Sequence, residues 1–130
     1  MLDQGALGTF LLASLDCGIG VIIGAPFNSG VLVRGDAEGA TYDDAKPTPA
    51  ILEKVRRINR NCEGHGVYLA AAALRFPLGH AAVASVLAGV RSAAHVEKNI
   101  PLFDEAIPND LWRELKAEKL IDGAAPIPEP

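Results

Sequence analysis

Little in this chain could staple it together covalently. Its two cysteines, Cys17 and Cys62, fall in no spaced framework. That excludes a disulfide-built secreted domain and leaves free thiols in a reducing compartment as the expectation. Basic charge is scarce too: Lys and Arg number 12 against 16 Asp and Glu, for a net charge of -4 and a pI near 5.3. A sequence-independent nucleic-acid surface needs clustered cations to displace counterions from phosphates, so no nucleic-acid partner is expected. The densest basic group, Arg56, Arg57 and Arg60, is flanked by Glu53 and Glu63 and reads as a solvated helix face. The amino terminus lacks the basic segment of a signal peptide, and Asp16 interrupts the apolar stretch behind it. The uncharged run between Asp16 and Arg34 contains Pro26, Asn28 and several glycines, which suits a strand and turn better than a membrane helix. A cytoplasmic protein with no membrane partner is the expectation.

What is present suffices for one folded domain. The 130 residues are 49% hydrophobic and 22% charged, the balance of an ordinary globular chain that can bury a sizeable core. Two apolar runs end in glycine-bearing loops: GVIIGAPFNSGVL over 20–32 and VASVLAGVRSAAHVEKN over 83–99. Residues 21–23 are β-branched and apolar on both faces, the mark of a parallel strand covered by helices, and 83–87 reads as a second strand. Each is expected to be buried and to deliver a loop to a ligand.

Helical patterns surround them. Leu7, Phe10, Leu11 and Leu15 give a stripe over 5–15, stopped by Gly18 and Gly20. Residues 34–46 turn polar and acidic and predict a surface loop of the long irregular kind that is often functional or mobile. Thr48 and Pro49 make a helix start, with Ile51, Leu52, Val55, Ile58 and Cys62 tracing the buried stripe to an end near Gly64 or Gly66. An alanine-rich helix over 67–75 is broken by Pro77 and Gly79. Ser92 can cap a helix that buries Val96, Ile100 and Phe103 and that Pro101 ends or kinks. A last helix from Pro108 buries Leu111, Trp112 and Leu115. Residues 1–121 are thus read as the folded part and 122–130 as an extended, loosely held tail.

Helices alternating with strands and no hairpin signal imply right-handed crossovers and parallel pairing. Two strands complete neither a barrel nor a wide sheet. Their edges require cover by helices, by a second copy of the chain, or by a missing segment.

The phrases LDQGAL, APFNSGVL, AAALRFPL and VASVLAGVRS, spread from Leu2 to about Ile121, resemble the aldo/keto reductase superfamily. They are closest to its bacterial aldose dehydrogenases, the D-threo-aldose 1-dehydrogenase and L-fucose dehydrogenase group. The resemblance implies an α/β fold, a carboxy-terminal fragment of a (β/α)8 TIM barrel in which 20–24 is strand seven and 83–87 strand eight. It also implies an NAD or NADP cofactor across the carboxy-terminal mouth of the strands. Carried over residue by residue, Ala25, Pro26, Phe27, Asn28 and Ser29 would wrap the pyrophosphate, where small residues allow close backbone approach. Gly89, Arg91, Ser92, His95 and Asn99 would hold the adenosine half, Asn99 on adenine.

Three departures stand out. Gly24 sits where many members stack an aromatic on nicotinamide, His95 replaces the arginine for the ribose 2'-phosphate, and Lys98 replaces a glutamate. Arg91 could make the phosphate contact instead, which leaves NAD and NADP both open.

The family's catalytic Asp, Tyr, Lys and His come from the first four strands, and neither Tyr42 nor Tyr68 matches the family acid. No catalytic residue is therefore expected in this chain, and the isolated polypeptide is expected not to transfer hydride. The resemblance implies a complete enzyme that oxidises the anomeric hydroxyl of a sugar to a lactone, with this chain carrying the cofactor half-site. The alternative is a non-enzymatic scaffold that self-associates through its strand edges, so that the partner is a homo-oligomer or a missing amino-terminal half.

Other motifs are weaker. Gly18-x-Gly20-x-x-x-Gly24 does not join a strand to a helix as a dinucleotide fingerprint must. Cys62-Glu63-x-His65 lacks a second ligand pair, so no metal is expected. Asp43 and Asp44 read as solvated loop carboxylates, and His80 as a loop residue ahead of the second strand, away from the cofactor mouth.

Overall fold

The computed structural model describes residues 1–35 and 37–128. In chain order the elements are α1 (Phe10–Asp16), β1 (Val21–Gly24), a 3-10 turn (Asn28–Gly30), α2 (Val31–Arg34), α3 (Pro49–Gly64) and α4 (Leu69–Arg75). A second 3-10 turn (Phe76–Gly79), β2 (Val83–Leu87), α5 (Ala93–Asp104) and α6 (Asn109–Ala117) follow. The fold is α/β, with β1 and β2 paired in parallel. No helix among the described residues is long and apolar enough to cross a membrane.

The most regular helix is the one whose ends are best specified. Thr48 Oγ1 accepts the Ile51 N–H at 3.3 Å and Pro49 opens α3 with its φ already set. At the other end Gly66, at φ 69, lets the Val67 N–H reach back to the Cys62 carbonyl and its own N–H to that of Glu63, which satisfies the last carbonyls. Between these caps Val55, Ile58 and Cys62 face inward and are fully buried. They meet Leu111, Trp112 and Leu115 of α6 and the alanines of α4, whose small side chains allow close helix approach. Phe76 and Trp112 close one side with ring centroids 5.8 Å apart. The core therefore lies among α2, α3, α4 and α6, to one side of the strands.

This placement overturns the expectation of buried strands. Ile22 pairs with Ser85 and Gly24 with Leu87, so these four residues share one face. Ile22 and Leu87 are each 65% exposed. The opposite face is half-covered: Ile23 and Val83 stand with Leu7, Leu11 and Phe76 around a small cavity of about 100 Å³. The β-branched run suits a covered sheet, yet nothing among the described residues lies over the Ile22 face.

Helix α5 departs in the same way. It runs to Asp104 with Pro101 inside it and buries no residue; Val96, Ile100 and Phe103 remain exposed along a groove of about 330 Å³ beside Leu74 and Val86. Ser92 sits at its N-cap, yet its side chain makes no capping bond.

Helix α1 begins only at Phe10, because the glycines at 5 and 8 leave the preceding residues in turns. It buries Leu11 while Phe10 and Leu15 stay exposed. Residues 122–128 carry no helix or strand and yet are not loose. Ala125 and Pro128 are buried, Ile127 packs on the core, and the backbone of 126–128 runs directly over Gly79.

Candidate functional site

At the carboxy-terminal ends of β1 and β2 the chain makes two loops, and between them lies a cleft of about 690 Å³. The first loop is shaped by unusual backbone. Ala25, Asn28 and Ser29 adopt φ of 49°, 46° and 58°, a region that L-residues other than Asn and Asp rarely occupy. Such strain persists only where the surroundings impose it. Here Pro26 is buried, Phe27 packs on the core, and its carbonyl accepts the N–H groups of both Gly30 and Leu32. The buried pair Val31 and Leu32 then anchors α2.

The second loop comes from 88–92. Gly89, Arg91 and His95 reach the cleft, and the Arg91 N–H donates to His95 Nδ1 at 3.3 Å. A ring nitrogen that accepts leaves Nε2 as the proton-bearing atom of the neutral imidazole, available as a donor to a ligand.

Of the residues named from sequence, Ala25, Pro26, Phe27, Ser29, Gly89, Arg91 and His95 line this one cleft. Asn28, Ser92 and Asn99 do not. Asn99 is half-buried in the neighbouring apolar groove, one turn along α5 from His95.

The structure adds Gly30, Arg34, Gly39, Thr41 and Asp44 to the lining. Arg34 ends α2, and a Cβ at Gly39 would sit 3.5 Å from its Nη1. The acidic loop therefore folds back over the site. Tyr42 and Ala45 exchange two backbone hydrogen bonds, of 2.9 and 3.0 Å, around Asp43 and Asp44 at φ 49° and 58°. Positive φ at both central residues is the type I′ turn, so a tight reversal exists where the sequence carries no hairpin signal. The aspartate pair was the available signal, because Asp tolerates the left-handed region, but it lacked the glycine that usually marks this turn.

The cleft's chemistry suits an anion. Two guanidinium groups, the His95 ring, the Ser29 hydroxyl and close-approaching backbone line it, against one carboxylate, Asp44. These residues fit a phosphate-like anion. Neither tyrosine takes part. Tyr42 packs toward the core, and desolvation, with the Asp43 and Asp3 charges behind it, pushes its phenol above the usual range. Tyr68 lies 72% exposed with its N–H on Glu105 Oε1.

Elsewhere, Cys62 is buried in the core and its thiol is pushed up to about 12, by burial first and then by Glu105 and Glu63. His65 Nε2 pairs with Glu114 Oε2 at 2.6 Å. No group of three or more His, Cys, Asp or Glu is placed to hold a metal among the described residues. The arginines of α3 are solvated ion-pair members: Arg56 and Arg60 face Glu53, and Arg57 faces Glu118 at 3.1 Å. His80 is buried ahead of β2, with Nδ1 accepting the Ala82 N–H.

Comparison with known proteins gives a family model, Aldo/keto reductase family, that matches residues 6–119. The chain is 36% identical over 121 residues to pyridoxal 4-dehydrogenase of Microbacterium luteolum, covering 93% of this chain and 35% of that protein. It is 32% identical over 122 residues to D-threo-aldose 1-dehydrogenase of Pseudomonas sp, covering 93% of this chain and 37% of that one. The chain thus spans little more than a third of the length of these relatives.

Proposed function

The chain belongs to the Aldo/keto reductase family, and from that premise we propose that it is the carboxy-terminal part of an NAD(P)-dependent aldose dehydrogenase barrel. On this reading β1 and β2 are barrel strands seven and eight, and the cleft between their loops is the pyrophosphate and adenosine half of the cofactor site. The observation that carries the proposal is the convergence of Ala25, Pro26, Phe27, Ser29, Gly89, Arg91 and His95 on one cleft at the carboxy-terminal ends of parallel strands.

Each lining residue has work that its chemistry allows. Ser29 donates its hydroxyl to a phosphate oxygen, and the tight backbone from Ala25 to Gly30 permits close approach. Arg34 and Arg91 would supply positive charge to the phosphates, with Arg91 the proposed contact for a 2'-phosphate. Asp44 opposes surplus negative charge at the rim. When bound, the dinucleotide supplies a nicotinamide ring that accepts or returns hydride. No residue of this chain is assigned to proton transfer, so by itself it binds and orients and does not catalyse.

The names of the two relatives support a proposed substrate class. An aldose presents a hemiacetal hydroxyl, and pyridoxal forms one when its aldehyde closes onto the neighbouring hydroxymethyl group. Oxidation of such a hydroxyl to a lactone, in the cytoplasm, is the activity proposed for the complete enzyme.

Titration of the purified chain with NADPH and NADH, followed by nucleotide fluorescence, tests the cofactor reading. Saturable binding supports it; no change up to millimolar concentration refutes it. Arg91→Ala should weaken NADPH more than NADH, and equal effects would remove Arg91 from the 2'-phosphate role. The two-stranded sheet, in which each strand keeps one unpaired edge among the described residues, favours a second reading, a self-associating scaffold that pairs strand edges between copies. A monomer by light scattering counts against it.

A further inference from the structure

The first cleft loop holds two successive residues, Asn28 and Ser29, in left-handed backbone, and what holds them there comes from twelve residues further along. Thr41 Oγ1 donates to the Ser29 carbonyl at 2.6 Å, and the Val31 N–H donates to the Thr41 carbonyl at 3.2 Å. These two bonds bracket the Ser29-Gly30 segment against one residue. The turn that begins at Tyr42 then brings the Asp44 N–H to Ser29 Oγ at 3.1 Å. Tyr42 packs on the core at the base of that turn, which gives the clamp a fixed footing.

The consequence for Ser29 is chemical. A hydroxyl has one proton to donate and two lone pairs to receive. With the Asp44 N–H on one lone pair, the proton remains for an acceptor, and Ser29 lines the cleft beside Arg34 and Arg91. An anionic oxygen is the ligand group that such a donor and two guanidinium groups select together.

We propose that Thr41, acting with the turn over 42–45, is a positioning residue for the dinucleotide site. It fixes Asn28 and Ser29 in the left-handed conformation and leaves the Ser29 hydroxyl as a preorganised donor to phosphate. The inference rests on the cofactor reading above. It assigns Thr41 no contact with the ligand; its effect passes through Ser29. A loop held in its bound shape before the ligand arrives spares the cost of ordering it on binding.

The test uses the full chain, its Thr41→Val and Thr41→Ser variants, and each paired with Ser29→Gly, which tolerates left-handed backbone but has no hydroxyl. Dissociation constants for NADH are measured alongside thermal midpoints. Thr41→Val should weaken NADH about 5- to 10-fold, the scale of one net hydrogen bond, while Thr41→Ser restores binding. In the Ser29→Gly background the Thr41→Val effect should shrink to less than about twofold, since the group being positioned is gone. Thr41→Ala gives the same readout if the valine variant does not fold.

Equal NADH affinity for wild type and Thr41→Val, or an undiminished Thr41→Val loss in the Ser29→Gly background, would overturn the positioning role while leaving the cofactor site standing. Failure of the wild-type chain to bind NADH at all would overturn the cofactor reading, and the positioning role with it.

Discussion

Gly79→Ala should cost more than its single methyl suggests. Gly79 ends the 3-10 turn before β2, and its φ is not in the left-handed region, so alanine is no strain on the local backbone. A Cβ there would stand 2.6 Å from the Ile127 carbonyl carbon, 2.6 Å from the Pro126 oxygen and 2.8 Å from the Pro128 nitrogen. All three are backbone atoms, which no side-chain rotation can move aside. Either the segment over 126–128 shifts by most of an ångström or it lifts away. Overpacking of this kind costs about 1–3 kcal/mol. Lifting the segment sets the ceiling: exposing Ala125, Ile127 and Pro128 forfeits roughly 3 kcal/mol of apolar burial at most.

A loss near 2 kcal/mol lowers the thermal midpoint by about 5–10 °C in a domain of this size. The assay is a thermodynamic cycle in urea with Gly79→Ala, a chain ending at Asp122, and both together. Once the segment is absent, alanine should be neutral or stabilise by about 0.4–1 kcal/mol through the unfolded chain. Amide exchange at Ala125, whose N–H donates to the Asp122 carbonyl at 3.0 Å, should quicken in Gly79→Ala. Unchanged stability with unchanged protection at Ala125 would refute the packing of this segment; an equal penalty in the shortened chain would place the strain elsewhere.

Four further perturbations have defined outcomes. Thr48→Ala removes the side-chain acceptor for the Ile51 N–H and should cost about 1 kcal/mol in urea unfolding, with a loss under about 0.3 kcal/mol counting against the cap. Leu115→Ala at a fully buried α6 position should cost about 2–5 kcal/mol, and a cost below 1 kcal/mol would show that α6 does not pack as described. A thiol reagent near pH 8 should find Cys17 quickly and Cys62 only after unfolding, since Cys17 is exposed and the folded Cys62 thiol titrates at about 12. Because that folded value lies above the ordinary 9.0, the folded state keeps a proton that the unfolded chain loses. Stability should therefore be intact below pH 9 and fall between 9 and 12, by up to about 1.4 kcal/mol per pH unit from this group. A Cys62→Ala variant with the same alkaline slope would remove the thiol from the explanation.

What could be read from the sequence were features specified within a few residues. The Thr48-Pro49 start, the stripe through Val55, Ile58 and Cys62, and the Gly66 stop produced α3 as read, because caps and periodicity act locally. The strand at 83–87 and the amphipathic α6 were legible for the same reason. So was the chain's family, whose phrases are contiguous stretches at the amino terminus, along α4 and at the ends of β1 and β2. Burial was not local in this sense. The apolar faces of β1, β2 and α5 have the composition of covered surfaces, but composition cannot supply a neighbour, and only the packed structure shows Ile22, Leu87 and Ile100 bare.

The cleft divides in the same way. Its strand-end residues could be named from the family resemblance of the loops that follow the strands, whereas Thr41 and Asp44 join it through a fold-back that depends on a turn without glycine and on hydrogen bonds spanning 12 and 15 residues. Asn99 moved the other way, from the expected site into the adjacent groove. Sequence by itself determined the well-capped helix α3, the two strands and which loops follow them, since those depend on backbone preference and short-range capping. Tertiary structure decided which faces are covered and which side chains meet, since those depend on segments far apart in the chain arriving at one place.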